Sequence, residues 1–167
     1  KGIKNTMVEM LAGLNRRGYT LHIVTGGTIE SLRRKNYQFN YLCEHLHTLY
    51  GCLGNEIYIP RTGHWFHRNG DFRIPQIVRE KLHKHWLFLS ANRYGYYQKF
   101  LECFETRTGM VNFSLIDRRC SNEEKHLILN EYGDYRPAII EELKEYRDQV
   151  LTGGLTSIDF TCAGKEQ

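Results

Sequence analysis

Tyr19-Thr20-Leu21-His22-Ile23-Val24-Thr25-Gly26-Gly27-Thr28-Ile29-Glu30-Ser31-Leu32 joins a short β-prone run to a glycine turn and the start of a helix. Upstream, Ile3, Met7, Met10, Leu11 and Leu14 fall at the spacing of a helix stripe. Arg16, Arg17 and Gly18 close that helix with cations and then a glycine. After Thr28 the apolar positions Ile29 and Leu32, and later Leu42, Leu46 and Leu49, predict a second helical stretch. Helix, strand, glycine turn and helix in succession are the grammar of an α/β layer with a parallel sheet.

Downstream the pattern changes. Glu56–Pro60 reads as a short strand, and Trp65–Ile74 as a hairpin turning at Asn69-Gly70. Pro75 suits the first turn of a long helix with Ile77, Val78, Leu82, Trp86 and Leu89 on one side. The aromatic stretch Tyr94–Phe100 ends it. Leu101–Thr106 and Met110–Ile116 form a second predicted hairpin around Arg107-Thr108-Gly109. Ser121-Asn122-Glu123-Glu124 fits a capping box, opening a helix to about Tyr132. Pro137–Val150 reads as another helix with Ile139, Ile140, Leu143, Tyr146 and Val150 as its apolar side. Gly153-Gly154 makes a turn, and Leu155–Thr161 alternates as a last strand. The order is α/β first, then a hairpin-rich α+β segment. One or two parallel strands with helices cannot bury both faces of a sheet, so the opening lobe needs something to cover it.

The 167 residues suffice for one ordinary domain or two small lobes, and 41% apolar content supports a packed core. No apolar run reaches the length of a membrane helix, and Glu9 and Gly13 break the stretch that would otherwise resemble a leader, so a soluble chain is expected. The balance of 23 basic against 19 acidic residues, net +4, suits phosphorylated ligands or a nucleic-acid neighbour and compels neither. Five cysteines without a CxxC pair argue for a reducing compartment, against a disulfide scaffold or zinc ribbon. The histidine pairs His45/His47 and His83/His85 diverge around helices, and His64 and His67 split across a strand, so no metal site is expected. Tyr94, Tyr96 and Tyr97 lack any nucleobase-clamp pattern and fit core packing or a protein interface.

Three sets of residues carry candidate chemistry. Arg107 and Arg118 flank a strand, and Lys125 follows a helix N-cap. Guanidinium forks match phosphate oxygens in pairs, so these cations could hold a dianionic phosphate; they could equally be a solvated basic edge. Ser157 and Asp159 share one face of the last strand, where they could orient sugar hydroxyls or simply face water. Thr25 and Thr28 compete for one role beside Gly26 and Gly27: binding a transferring phosphoryl group, or making a tight strand-to-helix turn.

The segment Glu105–Glu124, ETRTGMVNFSLIDRRCSNEE, resembles the sugar-recognition segment of eukaryotic phosphomannomutases, F-R-N-G-M-L-N-x-S-P-I-G-R-x-C-S-x-E-E-R. These belong to the haloacid dehalogenase superfamily and carry a C2-type cap. Gly153-Gly154-Leu155-Thr156-Ser157-Ile158-Asp159 is similar to the family's G-G-x-x-S-x-D strand, and Val24-Thr25-Gly26-Gly27-Thr28 to V-V-G-G-S of its core. The resemblance implies a partial Rossmannoid core over 1–73, lacking the catalytic first strand, an inserted α+β cap over 74–161, and a start of return to the core over 162–167. It implies that Arg107, Arg118 and Lys125 grip the phosphate not being transferred, that Asn112, Ser157 and Asp159 orient the sugar, and that Thr28 with Gly26 and Gly27 steadies the transferring phosphoryl group. Thr25 holds that role in the wider superfamily. The implied reaction interconverts mannose 6-phosphate and mannose 1-phosphate through an aspartyl-phosphate, with Mg2+ and a hexose 1,6-bisphosphate as cofactors, in the cytoplasm.

Departures are specific. The D-x-D nucleophile strand and the acidic magnesium motif are absent from the sequence, Pro60-Arg61-Thr62-Gly63 stands in place of P-E-N-G, and Lys125 replaces an arginine. Cys162-Ala163-Gly164-Lys165 only loosely matches P-D-G-x-x-K, which leaves Lys165 a weak candidate. Phosphoryl transfer needs a nucleophile and charge neutralisation that these residues do not supply. The second reading is an inactive homologue serving as an assembly component of a larger, ribonucleoprotein-type complex, in the cytoplasm or an organelle. Arg61, Lys125, Arg16-Arg17 and Arg33-Arg34-Lys35 favour it, as does a sheet that needs a protein partner. A third is an unrelated α+β binding module.

Overall fold

The computed structural model describes residues 3–92 and 102–162. The chain divides into two compact units, Lys1–Asp71 and Phe72–Gln167.

The first unit begins with α1 (Asn5–Arg16), β1 (His22–Val24), α2 (Ile29–Lys35) and α3 (Phe39–Glu44). β2 (Thr48–Gly51), β3 (Glu56–Ile59) and β4 (His64–His67) complete it. The sheet order is β1-β2-β3-β4, with β1 and β2 parallel and the other pairs antiparallel. Val8, Ile29, Phe39, Leu42, Leu46 and Leu49 form its core.

Two expectations are corrected here. The helix predicted from Ile29 through Leu49 is α2, α3 and a strand. Asn36 leaves the helical region at φ −131°, ψ 102°, and its Oδ1 accepts the Gln38 N–H, a local turn that ends α2. Leu49 lies in β2, paired with Ile23. The hairpin turns at Pro60–Gly63, since Ile59 pairs with His64 and Gly63 takes φ 69° while donating its N–H to Ile59 O. Asn69 does adopt a left-handed conformation, φ 52°, yet no strand follows it; its amide donates to Asn55 Oδ1 instead.

The second unit contains α4 (Gln76–Asn92), β5 (Phe104–Arg107), β6 (Met110–Ser114), α5 (Asn122–Tyr132) and α6 (Arg136–Glu142). A 3-10 turn over Lys144–Gln149 leads to β7 (Val150–Gly153) and β8 (Ser157–Thr161). The sheet is antiparallel, in the order β5-β6-β8-β7. The predicted helix Pro137–Val150 therefore stops early: Val150 opens β7 and pairs with Phe160, because the Gly153-Gly154 turn folds β7 back on β8. Tyr94–Phe100 lies outside the described residues.

Register explains the second sheet. Phe104, Phe113 and Ile158 stand in one cross-strand row, and Val111, Phe160 and Val150 in the next, all buried on one face. Val78, Leu82, Trp86 and Leu89, at helical spacing on α4, belong to the same core with Ile128 and Ile139. Alternation then puts Glu105, Arg107, Asn112, Ser157 and Asp159 together on the opposite face.

Candidate functional site

The polar face of the second sheet carries a continuous network. Glu105 on β5 pairs with Asn112 on β6, which pairs with Asp159 on β8, so the three residues form one row across the sheet. Asn112 Nδ2 donates to Asp159 Oδ1 at 2.6 Å. Arg118, on the loop after β6, donates from Nη2 to Asn112 Oδ1 at 3.1 Å and from the same nitrogen to Cys103 O at 3.2 Å. Its Nε lies 3.3 Å from Glu105 Oε2, and Arg107 Nη2 donates to that same oxygen at 2.6 Å. Glu105 is thus the counter-ion of both guanidinium groups. Asn112 and Asp159 are buried, while Arg118 is partly exposed.

Burial pushes the Arg118 guanidinium down from its ordinary range, and the Glu105 carboxylate opposes that shift. A guanidinium stays charged under either influence. The network can therefore present cationic N–H donors beside fixed carboxylate and amide acceptors. That combination suits a ligand with an anionic group and several hydroxyls.

Ser157 lies two residues before Asp159, its hydroxyl donating to Gly153 O at 2.7 Å. A side chain at Gly153 would collide with the Asp159 carboxylate, so the glycine is what lets β7 pass so close. Lys125 sits on α5, partly buried. Among the described residues its side chain makes no hydrogen bond or ion pair with the network. The α5 N-terminus is closed by its own capping box: Glu124 N–H donates to Ser121 Oγ at 3.1 Å and Ser121 N–H to Glu124 Oε2 at 2.7 Å. Asp117 is held by Arg119, Nη2 to Oδ2 at 2.8 Å.

The second set of candidates lies in the first unit. Thr25 Oγ1 accepts the Gly27 N–H at 3.2 Å, and Thr28, the N-cap of α2, accepts the Ser31 N–H at 3.0 Å. Ile29 N–H, the donor that opens α2, goes to the buried carboxylate of Glu56 at 2.9 Å. The Gly27 and Ile29 N–H groups are therefore already taken by the protein's own oxygens, and the Glu56 carboxylate stands at the start of α2, where an anionic group would otherwise be favoured.

Sequence reasoning passed over Glu56 because it passed over β2. The loops that follow parallel neighbours β1 and β2 meet: Cys52 N–H donates to Gly27 O and Leu53 N–H to Thr25 O. Loops at the carboxyl ends of adjacent parallel strands are where α/β folds build sites. Cys52 and Leu53 both take positive φ, 49° and 57°, a conformation that costs non-glycine residues about 1–2 kcal/mol each. Pro60–Gly63 instead forms the β3–β4 turn. Glu105 was missed because only cations were counted; its signal was a carboxylate two positions before Arg107.

No protein-family model and no curated protein matches the chain. Solved structures do. The trehalose-6-phosphate phosphatase C-terminal domain of C. albicans aligns with 96% of this chain and 49% of its own, at 14% identity and a TM-score of 0.56. A trehalose-6-phosphate phosphatase related protein aligns over 98% of this chain at 15% identity and a TM-score of 0.46. The sucrose-phosphatase of Synechocystis sp. aligns over 95% at 16% identity and 0.42. The chain spans about half the length of these proteins, between 49% and 59%. The likeness is one of fold: a mixed α/β architecture of haloacid-dehalogenase type.

Proposed function

We propose that this chain is a phosphomannomutase-like protein that binds a hexose phosphate on the polar face of its second sheet. The carrying observation is the unbroken row Glu105–Asn112–Asp159 with Arg118 bridging Glu105 to Asn112. In this reading Arg107 and Arg118 exchange part of their hold on Glu105 for the ester phosphate, and Asp159, Asn112 and Ser157 accept from or donate to sugar hydroxyls. Lys125 adds positive charge without bidentate geometry.

Among the described residues no three His, Cys, Asp or Glu side chains converge to hold a metal ion. Glu56, the buried acid beside the glycine turn, is committed to the Ile29 N–H.

Calorimetric titration with mannose 6-phosphate and mannose 1-phosphate tests the reading. Saturable binding is expected, weakened by Arg118→Ala by about 1.5–3 kcal/mol, the usual loss for a charged hydrogen bond, and partly restored in Arg118→Lys. Absence of affinity for either ester would overturn it. A specific observation favours the second reading, an inactive assembly component: Thr25, Glu56 and Thr28 accept from the Gly27, Ile29 and Ser31 N–H groups at the glycine turn, donors that an anionic group there would compete for. Under that reading the chain binds hexose phosphate, or none, and exchanges no phosphoryl group between mannose 1-phosphate and its bisphosphate.

A further inference from the structure

A cleft of about 430 Å³ lies within the first unit, walled by α2, α3 and the β3–β4 hairpin. It belongs to neither set of residues discussed above, and its volume falls in the range of small-molecule sites. Trp65 stands opposite Tyr58 in the hairpin register and stacks on it, ring centroids 4.6 Å apart and planes 30° apart. Stacking fixes the indole, yet Trp65 remains 49% exposed. An indole so held and so open is a platform for a planar ring.

The remaining lining supplies the polar half of such a ligand. Arg61 lines the cleft from the turn, and among the described residues no ion pair or hydrogen bond engages its side chain. Arg33 lines it from α2, tied to Glu30 only at 3.9 Å, the outer limit of an ion pair. Asn40 and Glu44, one turn apart on α3, add an amide and a carboxylate. Cys43 lies between them in sequence, and burial pushes its thiol up to about 11, so it stays neutral and does not compete for Arg33.

We infer that this cleft binds a nucleoside monophosphate, the base stacked on Trp65, its edge read by Asn40 and Glu44, and the phosphate taken by Arg61 and Arg33. Guanidinium forks match a phosphate, and an amide beside a carboxylate matches the donor and acceptor pattern of a base edge. A bare phosphate would leave the indole unused; a sugar phosphate is the competitor, since Asn40 and Glu44 can also meet hydroxyls, and the open indole face favours the flat base over it.

The two tryptophans make the test direct. Trp86 is 6% exposed in the second unit's core, so quenching by a stacked base reports Trp65. Titration of the full chain with AMP and UMP should quench fluorescence saturably. Trp65→Ala, read by calorimetry because it removes the fluorophore, should weaken AMP binding at least tenfold, and so should Arg61→Ala. Arg61 is an exposed turn residue, so that variant folds, as circular dichroism will verify. Ribose 5-phosphate, inorganic phosphate and adenosine should each bind at least tenfold more weakly than AMP. Mannose 6-phosphate should not displace AMP, which separates this site from the hexose-phosphate reading. No saturable quenching, equal affinity for ribose 5-phosphate or phosphate, or unchanged binding by Arg61→Ala would overturn the inference. So would a single-stranded oligonucleotide binding far more tightly than AMP, since that outcome marks a strand-binding surface.

Discussion

Both arginines of the second sheet turn to one carboxylate, Glu105, and that sharing sets how the site would respond to change. Removing Glu105 takes from Arg107 and Arg118 the carboxylate they share, while Arg118 keeps its bonds to Cys103 O and Asn112 Oδ1. Gly153 is the complementary case, a residue that matters by having no side chain. A methyl at Gly153 would strike the Asp159 carboxylate and come within 2.9 Å of Ser157 Oγ. Gly153→Ala should therefore displace Asp159 and lower thermal stability by about 1–3 kcal/mol, the usual cost of overpacking. It should also weaken hexose-phosphate binding. A melting curve paired with calorimetry checks it, and an unchanged affinity in a destabilised protein would remove Asp159 from the site. The thiols add a chemical check. Burial pushes Cys103 up to about 11, as it does Cys43, so both should alkylate slowly at pH 8, with thiolate fractions of about 10⁻³. Mass spectrometry after brief iodoacetamide treatment reads this residue by residue.

At the level of elements, α6 starts on an ion pair. Arg136 donates from Nε and Nη2 to Asp134, its N–H caps on Asp134 Oδ1, and its Nη1 reaches Gly154 O at 2.9 Å. The Arg136 hydrogen bonds hold the Asp134 carboxyl below its ordinary value of 3.8. A depressed carboxyl stabilises the fold above its unfolded pKa, and that contribution is lost as pH falls through the folded pKa. Asp134→Asn should thus lower the melting temperature at pH 7, and the difference should shrink below about pH 3–4. The capping box of α5 is separable by the same measurement: Ser121→Ala should cost about 1 kcal/mol at any pH near neutrality.

Elements also show where sequence is readable. Ser121–Glu124 was legible because both hydrogen bonds of a capping box are local. The Thr108-Gly109 turn and the alternation of β5, β6 and β8 were legible because period two separates Phe104, Val111 and Phe113 from Glu105 and Asn112. β2 was not, because Leu46 and Leu49 continue a helix-like spacing while the strand is decided by pairing with β1. β7 was hidden likewise, Val150 extending the apolar side of α6. Asn69-Gly70 carried a hairpin signal, but Gly63 and the register of Ile59 with His64 placed the turn earlier.

Across the whole molecule, each unit has its own sheet and its own core, and each proposed site lies within one unit. Among the described residues no helix is long and apolar enough to cross a membrane. At the glycine turn of the first unit, Thr25, Glu56 and Thr28 accept from the Gly27, Ile29 and Ser31 N–H groups. On the proposed reading of binding without transfer, incubation with mannose 6-phosphate should yield no mannose 1-phosphate. Under the proposed reading, Arg118 and Asn112 are the side chains that meet the ligand. Side-chain signals of these two residues, followed by NMR during titration with mannose 6-phosphate, test that most directly. The Arg118 Nε–H and Asn112 amide resonances should shift saturably with one dissociation constant. Resonances of both that stay still at saturating ester would contradict it.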